Sequence, residues 1–280
     1  MNPLVSIVVP CYKQAQYLED ALNSVLDQSY SHWECIIVND GSPDNTEVIA
    51  QKWEKKDPRF LYIKLDNGGV CTARNTAIQK AKGEFILPLD ADDRIGEEYV
   101  ALALDAFKND VKLKVVYCKV DFFGDKTGAW ILPEFSLINL SRFNMIICSA
   151  LYRKSEWQRV GGYDTNMIFG IEDWEFWISI LKDGGVVKCL DYLGFYYRIK
   201  IKSRQKDLDL KKEQAMLEYI SVKHVDFFVK HCGSFIALTE SLNKLESTIE
   251  ANLNSEKFVI DVFCTKFFGF SIFNKYRRKS

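Results

Sequence analysis

Three aspartates with the spacing of a metal or phosphate site follow the apolar run at residues 85–89: Asp90, Asp92 and Asp93. Carboxylates at the end of a buried strand are costly unless positive charge meets them. In an extended segment alternate side chains share a side, so Asp90 and Asp92 are expected to point the same way. Two such carboxylates predict a hard-oxygen site for Mg²⁺ or Mn²⁺, with open positions for phosphates. The alternative for the isolated pattern is an acidic, solvated turn.

The composition is that of an ordinary globular protein. The 280 residues are 48% hydrophobic and 27% charged, with a formal net charge of -1, which gives no indication of a nucleic-acid partner. None of the 8 cysteines lies in a Cys-x-x-Cys pair, which disfavours a zinc site. Cys35, Cys118, Cys148 and Cys189 lie in apolar, strand-like runs and are expected to be buried, reduced thiols of a cytoplasmic protein. Neither a signal peptide nor a membrane-spanning segment is predicted.

Strands and helices are predicted to alternate through the first part of the chain. Strands are expected at residues 5–9, 33–38, 60–65 and 84–89, with helices at 17–26, 43–56 and 71–81. Ser42 and Pro43 are interpreted as the start of the second helix. This alternation predicts an α/β domain with a mostly parallel sheet flanked by helices. Ligands of such sheets bind outside the carboxyl ends of strands, so one crevice should collect the groups at 10–12, 40, 67 and 90–92.

The second half is predicted to be less regular. Strands are expected at 115–120, 146–152, 186–190 and 194–198, with a helix at 172–181 and two helices within 207–253. His224 and His231 are expected at solvated helix positions. In the aromatic tail at 258–273, Phe258, Phe263 and Phe270 are assigned to one helix face and Asp261 to the other. With the basic end at 275–279, this pattern fits a helix on an anionic membrane surface. The alternative is a helix docked on the protein or on a second subunit.

Several short motifs occur in a definite order. They cover residues 6–12, 37–44, 73–75, 89–93, 161–164, 172–173 and 197–198. Together they resemble the family 2 glycosyltransferases, inverting enzymes with the GT-A fold. The resemblance covers roughly residues 3–203. Residues 1–203 are taken as a GT-A domain and 204–280 as a C-terminal helical region.

The resemblance implies a hexosyltransferase that moves a sugar from a nucleotide-diphosphate donor, a UDP-sugar, to an acceptor hydroxyl with inversion. The acceptor would be a glycan or a lipid-linked glycan in polysaccharide or lipopolysaccharide assembly, at the cytoplasmic face of the membrane. Asp40 would accept a hydrogen bond from the base. The other implied donor-site residues are Pro10, Tyr12, Asn67, Arg74, Asp90, Ala91 and Lys200.

The resemblance also implies the chemistry. Asp92 would ligate Mn²⁺ or Mg²⁺, which neutralises the leaving diphosphate. Asp173, with Glu172 as the alternative, would be the general base that takes the proton of the acceptor hydroxyl. Taken singly, Asp40 could only cap a helix, Arg74 could lie on a helix surface, and the two acids could only complement a helix dipole.

Three positions depart from the family pattern. Lys13 stands where Asn is frequent, Ala77 where Gly is frequent, and Lys200 where many members have His. A protonated lysine cannot ligate a metal, although it can pair with diphosphate charge. The rival hypotheses are a nucleotidyltransferase and a catalytically inactive, nucleotide-sugar-binding assembly subunit.

Overall fold

The structure, a computed structural model, describes residues 2–200 and 209–276. It divides into two compact units, Met1–Phe227 and Phe228–Ser280. The boundary predicted between residues 203 and 204 lies outside the described residues and stays a prediction. In the described residues the strands belong to one nine-stranded sheet.

The first half of this sheet is parallel and carries the predicted strand–helix alternation. Its elements are β1 (Val5–Cys11), α1 (Ala15–Leu26), β2 (Trp33–Asp40), α2 (Thr46–Lys56), β3 (Phe60–Leu65), α3 (Val70–Lys80) and β4 (Phe85–Pro88). Strands β1 and β2 are mostly apolar and are buried on both faces, as is expected of parallel strands that lie between helices. The carboxyl ends of β1 to β4 therefore meet at one edge of the sheet. The prediction that residues following these strands gather along one edge is confirmed.

One helix start in this half was predicted wrongly. Helix α2 begins at Thr46, not at Ser42 and Pro43. The Ser42 hydroxyl instead donates to Asp44 Oδ1 at 2.6 Å, and Asp44 also accepts from the backbone N–H of Ala15 and Thr46. These bonds make residues 41–45 a structured loop, since they satisfy the polar groups that a longer helix would use.

The second half of the sheet is mixed. It contains β5 (Arg94–Ile95), α4 (Tyr99–Asn109), β6 (Leu113–Gly124), β7 (Gly128–Trp130), α5 (Leu137–Leu140), β8 (Leu151–Arg153), α6 (Lys154–Val160), α7 (Glu172–Leu181) and β9 (Val186–Ile199). The strand order in the sheet is β3-β2-β1-β4-β8-β6-β9-β5, with β7 paired to β6. Strand β8 joins β4 and β6 by antiparallel pairing. The two strands predicted at 186–198 are one strand, β9, whose pairing with β6 is interrupted by bulges. The strand predicted at 146–152 is wrong over 146–150, where buried residues follow an irregular path.

Helix α8 (Leu210–Lys223) packs against α7 through a buried polar cluster. His224 is 2% exposed, and its Nε2 lies 2.7 Å from Oε1 of Glu175, which is fully buried. Glu175 also accepts from Lys223 and Ser179. The expectation of a solvated His224 was wrong. Its partner Glu175 lies on α7, and the sequence pattern of α8 alone does not indicate a contact with another helix.

The second unit contains the end of α9 (Val225–Cys232), then α10 (Phe235–Leu253) and α11 (Glu256–Phe268). The predicted break at 232–234 is confirmed. Asp261 is buried rather than on a solvated face, since it accepts from the backbone N–H of Ile272, Phe273 and Lys275. Phe270 lies beyond the end of α11. Among the described residues, no helix is long and apolar enough to cross a membrane.

The cysteine prediction holds in part. All 8 cysteines are free thiols, and Cys35 and Cys118 are buried in strands. Cys189 is exposed and Cys148 is only partly buried. Cys148 lies in the irregular segment before β8, where its thiol faces the acidic residues described below.

Candidate active site

The loop after β3 is held by the buried carboxylate that ends β2. Asp40 is 3% exposed; its Oδ1 accepts from the Gly68 N–H at 2.8 Å, and its Oδ2 from the Gly69 N–H at 3.0 Å. The Asn67 amide donates to the Asp40 carbonyl oxygen at 2.9 Å. Gly41 has φ +65, and a Cβ there would lie 2.7 Å from the Asn67 nitrogen. Asp40 therefore shapes this loop, and Asn67 and the glycines line the edge where β2 and β3 end.

The loop after β1 faces the same edge. Pro10 is partly buried at the end of β1, and Tyr12 is 41% exposed. Lys13 adopts a left-handed φ of 56, and its N–H donates to the Ser42 hydroxyl at 2.8 Å. Because Asn tolerates this conformation better than most residues, the geometry explains why Asn suits this position.

The acids after β4 form a tight turn instead of an extended segment. The strand ends at Pro88, and the Asp93 N–H donates to the Asp90 carbonyl oxygen at 3.0 Å. The expectation that Asp90 and Asp92 share one side of an extended strand is therefore wrong. The turn still brings the acids together, with Ala91 buried between the two partly exposed aspartates.

Asp93 is the most deeply buried acid of this turn, at 1% exposed. Its Oδ1 accepts from the Arg198 N–H at 2.8 Å, and its Oδ2 has no hydrogen-bond partner among the described residues. Burial and the neighbouring charges of Asp92 and Asp90 hold the pKa of Asp93 well above its usual value. Asp93 therefore favours its protonated form unless a cation binds at this turn.

Arg74 joins the acidic turn to helix α7. It is 1% exposed, and its guanidinium donates to Asp90 Oδ1 at 2.7 Å and to Glu172 Oε1 at 3.0 Å. Burial disfavours the charged guanidinium, but the carboxylates of Asp90 and Glu172 outweigh that effect and hold the pKa of Arg74 well above its usual value. The surface-helix alternative for Arg74 is excluded by this burial.

Lys200 pairs with the predicted metal ligand. Its Nζ forms a salt bridge with Asp92 Oδ2 and donates to Gln14 Oε1 at 3.2 Å. Burial and the charge of Asp90 raise the pKa of Asp92, while the Lys200 ammonium opposes the rise. The ammonium therefore supplies positive charge at the carboxylate where a cation would bind.

Asp173 lies in the first turn of α7, next to the Arg74 pair. Its Oδ2 accepts from the Asn144 amide at 2.8 Å, and its Oδ1 from the Trp174 N–H at 2.8 Å. Burial and the charge of Glu172 raise the pKa of Asp173 to about 7, against the lowering effect of Arg74. Glu172 is held by Arg74, whereas Asp173 has only neutral hydrogen-bond donors. Of the two acids, Asp173 has the environment of a proton acceptor near neutral pH.

Asn75 fixes the loop that precedes α7, a role that sequence reasoning missed. Its Oδ1 accepts from the Tyr163 N–H at 2.8 Å and from Trp157 Nε1 at 3.0 Å, and its Nδ2 donates to the Tyr163 carbonyl oxygen at 2.7 Å. Tyr163 in turn lies against Arg74, 5.3 Å from ring centroid to Cζ. Asn144 and Cys148 were also missed as site residues, and Asp93 was identified in the acidic cluster but was given no role of its own. Only the position of Asn75 beside Arg74 in a motif could have indicated its role.

The acids around the turn suit a hard divalent cation. Ligand atoms of Asp90, Asp93 and Cys148 lie within 4.8 Å of one another, and Asp92 is adjacent in the turn. Five acidic side chains, at 90, 92, 93, 172 and 173, lie around this turn with the cations Arg74, Lys200 and Arg198, and Arg198 also pairs with Asp20. Oxygen ligands with excess negative charge fit Mg²⁺ or Mn²⁺. The unpartnered Asp93 oxygen is consistent with this fit.

Comparison with known proteins identifies the same region. The family model described as glycosyl transferase family 2 matches residues 6–173. The putative teichuronic acid biosynthesis glycosyltransferase TuaG of Bacillus subtilis is 47% identical over 196 residues, covering 68% of this chain and 78% of that protein. The uncharacterized glycosyltransferase EpsJ of the same species is 30% identical over 262 residues, covering 87% of this chain and 74% of that protein. Chondroitin synthase of Escherichia coli is 38% identical over 218 residues, but this chain spans only 31% of it.

Solved structures share the fold. S. aureus TarS 1-349 in complex with UDP-GlcNAc has a TM-score of 0.65 and 21% identity, covering 81% of this chain and 71% of that chain. The mannosyltransferase PcManGT from Pyrobaculum calidifontis, in complex with GDP-Man and Mn²⁺, has a TM-score of 0.60 and 16% identity, covering 93% of this chain and 83% of that chain.

Proposed function

The chain belongs to glycosyl transferase family 2 and is a glycosyltransferase, and we propose that it moves a sugar from a UDP-sugar to a glycan hydroxyl with inversion. The observation that carries this proposal is Arg74, whose two carboxylate contacts link the acidic turn at Asp90 to the helix that presents Asp173. A site for the leaving diphosphate and a candidate base are thereby adjacent. A teichuronic acid glycosyltransferase among the relatives and a UDP-GlcNAc complex among the structural neighbours support the choice of donor and acceptor class.

The nucleotide would bind along the edge formed by β1, β2 and β3. Exposed Tyr12 and partly buried Pro10 offer a wall, and the loop organised by Asp40 offers Asn67 and backbone groups to the base. The ribose would lie near Asp90 and Ala91. Arg74 would act toward the phosphates mainly by holding Asp90, since its guanidinium is already engaged by two carboxylates.

Mn²⁺ or Mg²⁺ would be held by Asp92 with neighbouring acids of the turn. When bound, the cation neutralises charge that develops on the diphosphate as it leaves. The Lys200 ammonium pairs with Asp92 in the structure. When a metal binds Asp92, Lys200 would move from that carboxylate to the diphosphate.

Asp173 would take the acceptor proton. As the acceptor oxygen attacks the anomeric carbon, the bond from that carbon to the diphosphate oxygen breaks on the opposite face, and the hydroxyl proton passes to Asp173. One base and one in-line displacement give inversion without a covalent enzyme intermediate. Asn144 would orient the carboxylate through its bond to Oδ2.

Three aromatic rings near the acidic turn suit an acceptor sugar. Trp130 is 37% exposed and stacks on Phe122 with centroids 5.4 Å apart, and its ring lies 5.5 Å from that of Tyr197. Tyr197 directly precedes Arg198, whose backbone N–H bonds Asp93. Because sugar C–H groups pack favourably on the negative face of an aromatic ring, Trp130 would support the acceptor.

The acceptor would be a glycan or a lipid-linked glycan, reached at the cytoplasmic face of a membrane. Helix α11 and the turn after it expose Phe263, Phe267, Phe268 and Phe270. Lys266 lies among these residues and Lys275 follows them. The sequence continues with Arg277, Arg278 and Lys279, which are outside the described residues. Exposed aromatics with basic residues favour an anionic lipid surface.

The nucleotidyltransferase alternative is not favoured, because the family match covers the acidic turn and extends to Asp173. The inactive-subunit alternative is disfavoured by the presence of both Asp173 and the complete acidic turn. Release of UDP from a panel of UDP-sugars, with Mn²⁺ and a mixture of soluble glycan acceptors, tests the proposal. We expect wild-type turnover, and we expect Asp173→Asn to bind donor but not to transfer. No turnover and no donor hydrolysis across the panel would contradict it.

A further inference from the structure

Helix α10 exposes an apolar stripe along its whole length. The helix spans Phe235–Leu253, and its first turn is capped by Ser234, whose hydroxyl oxygen accepts from the Ala237 N–H. All of its residues from 235 to 251 are exposed. The stripe is formed by Phe235 (56% exposed), Leu238 (39%), Leu242 (59%), Leu245 (56%) and Ile249 (48%). We call these five residues the α10 seam.

The spacing of the seam is that of a helix that pairs with another helix. Its residues follow one another at intervals of three, four, three and four, which places 235, 242 and 249 at a positions and 238 and 245 at d positions of a heptad. Helices in water owe most of their stability to burial of an apolar face, and α10 contacts α11 without covering this one. The seam therefore needs an occupant of matching length, about 28 Å for a 19-residue helix.

The charges of α10 do not favour an anionic membrane as that occupant. The helix carries Glu240, Glu246 and Glu250 against the single base Lys244. Helices that lie on anionic lipids carry lysine and arginine on the polar face, because the lipid surface repels carboxylates. In this respect α10 differs from the basic, aromatic segment that follows it.

The residues beside the seam are compatible with an identical helix. The e positions hold Thr239, Glu246 and Leu253, and the g positions hold Ser241 and Thr248. In a parallel pair Glu246 faces Ser241 of the second helix, and in an antiparallel pair that aligns 242 with 245 it faces Thr239. Neither arrangement places like charges opposite each other, which is the feature that normally prevents a helix from pairing with itself.

From the exposed heptad and these neighbours we infer that the α10 seam binds the α10 seam of a second copy of this chain, giving a homodimer. Such an interface is isologous, with the same five residues on both sides. The inference concerns an assembly surface and does not depend on the proposed activity. Because the seam spans only about two heptads, dimerisation is expected to be reversible and to depend on protein concentration.

The test is sedimentation equilibrium of the full chain over a hundredfold range of concentration. The wild type is expected to approach about twice the monomer mass of 32.4 kDa as concentration rises. Leu245→Glu puts a carboxylate into the apolar seam of each helix, in either orientation of the pair, and is expected to weaken dimerisation at least tenfold. Ser247→Glu adds the same charge on the outer face of the same helix and should leave the dimer unchanged. Circular dichroism confirms that both variants keep the wild-type helix content.

Each other outcome contradicts the inference. A wild type that is monomeric at every concentration overturns it, as does a dimer that survives Leu245→Glu or that Ser247→Glu weakens equally. Flotation with vesicles of phosphatidylglycerol and phosphatidylcholine serves as a second measurement. If the wild type is monomeric and Leu245→Glu alone abolishes flotation, the occupant of the seam is lipid.

Discussion

At the scale of single residues, the environment of Asp173 separates it from its neighbour Glu172. Both are first-turn acids of α7, but Arg74 binds Glu172 while Asp173 is left with neutral donors. The family resemblance assigned the base to Asp173 with Glu172 as the alternative, but nothing in the residues themselves separated the two acids. Arg74 and Glu172 are 98 positions apart, so only the fold reveals their contact.

The pH dependence of transfer tests the role of Asp173. A base with a pKa of about 7 must be ionised to act, so kcat/KM is expected to rise through about pH 7 and to level off above it. Because the Glu172 charge raises the pKa of Asp173, Glu172→Gln should move this rise to lower pH. A rise at unchanged pH in Glu172→Gln, or a profile retained in Asp173→Asn, would assign the base elsewhere.

Lys200 offers a test of the cation site. Its ammonium occupies Asp92, so Lys200→Ala is expected to tighten Mn²⁺ binding severalfold in the absence of nucleotide, measured by electron paramagnetic resonance of free Mn²⁺. The same variant should weaken UDP binding, since a cation for the diphosphate is lost. Lys52→Ala, which removes an exposed lysine paired with Glu19, serves as control. Unchanged Mn²⁺ affinity in Lys200→Ala would contradict competition at Asp92.

At the scale of elements, the sequence predicted those whose signal is local. The boundaries of β3 and α7 agree with the structure, because an apolar run or a helical stripe ends at polar residues in each case. The start of α2 was wrong because the side-chain bonds of Asp44 override the local pattern. The strand predicted at 146–150 was wrong as well, and there the Ile146 N–H donates to Asn144 Oδ1 instead of to a neighbouring strand. The turn at 90–93 was likewise missed, although its acids were identified.

Two adjacent glycines in the loop before α7 differ in the space around them, so a substitution at Gly161 is the control for the same substitution at Gly162. Gly162 has φ +86, and a Cβ there would lie 2.7 Å from Asn75 Oδ1; Gly161 has φ +83 and open space. Gly161→Ala should cost about 1 kcal/mol of unfolding free energy for the left-handed conformation alone. Gly162→Ala should cost about 2–4 kcal/mol, since it adds overpacking and disturbs the Asn75 bonds. Urea denaturation measures both, and equal costs would contradict the role given to Asn75.

At the scale of the whole molecule, the family motifs lie in the first unit, and the second unit carries the exposed apolar residues of α10 and α11. The sequence predicted the parallel half of the sheet well, because each strand and the helix that follows it show their own apolar pattern in a short stretch of sequence. It predicted the tail less well. Asp261 was placed on a solvated face, whereas it binds three backbone N–H groups of the turn after α11.

The tail is expected to bind anionic membranes. Phe267→Asp/Phe268→Asp should abolish flotation with vesicles that contain phosphatidylglycerol, because it places two carboxylates in the apolar surface of α11. Turnover of soluble acceptors should be unchanged, since neither residue belongs to the proposed site. Vesicles of phosphatidylcholine alone, and a Ser247→Glu variant, are the controls. Flotation that is equal on both lipids, or retained by the double variant, would contradict the membrane assignment.

Calorimetric titration of UDP, with and without Mn²⁺, tests the central claim that the acidic turn forms a metal-dependent site for a nucleotide diphosphate. We predict binding of UDP to the wild type that strengthens at least tenfold with Mn²⁺. Asp92→Asn should lose this gain, and Asp173→Asn should keep it, because Asp173 is assigned to the acceptor proton. The absence of UDP binding, or binding that neither Mn²⁺ nor Asp92→Asn changes, would contradict the claim.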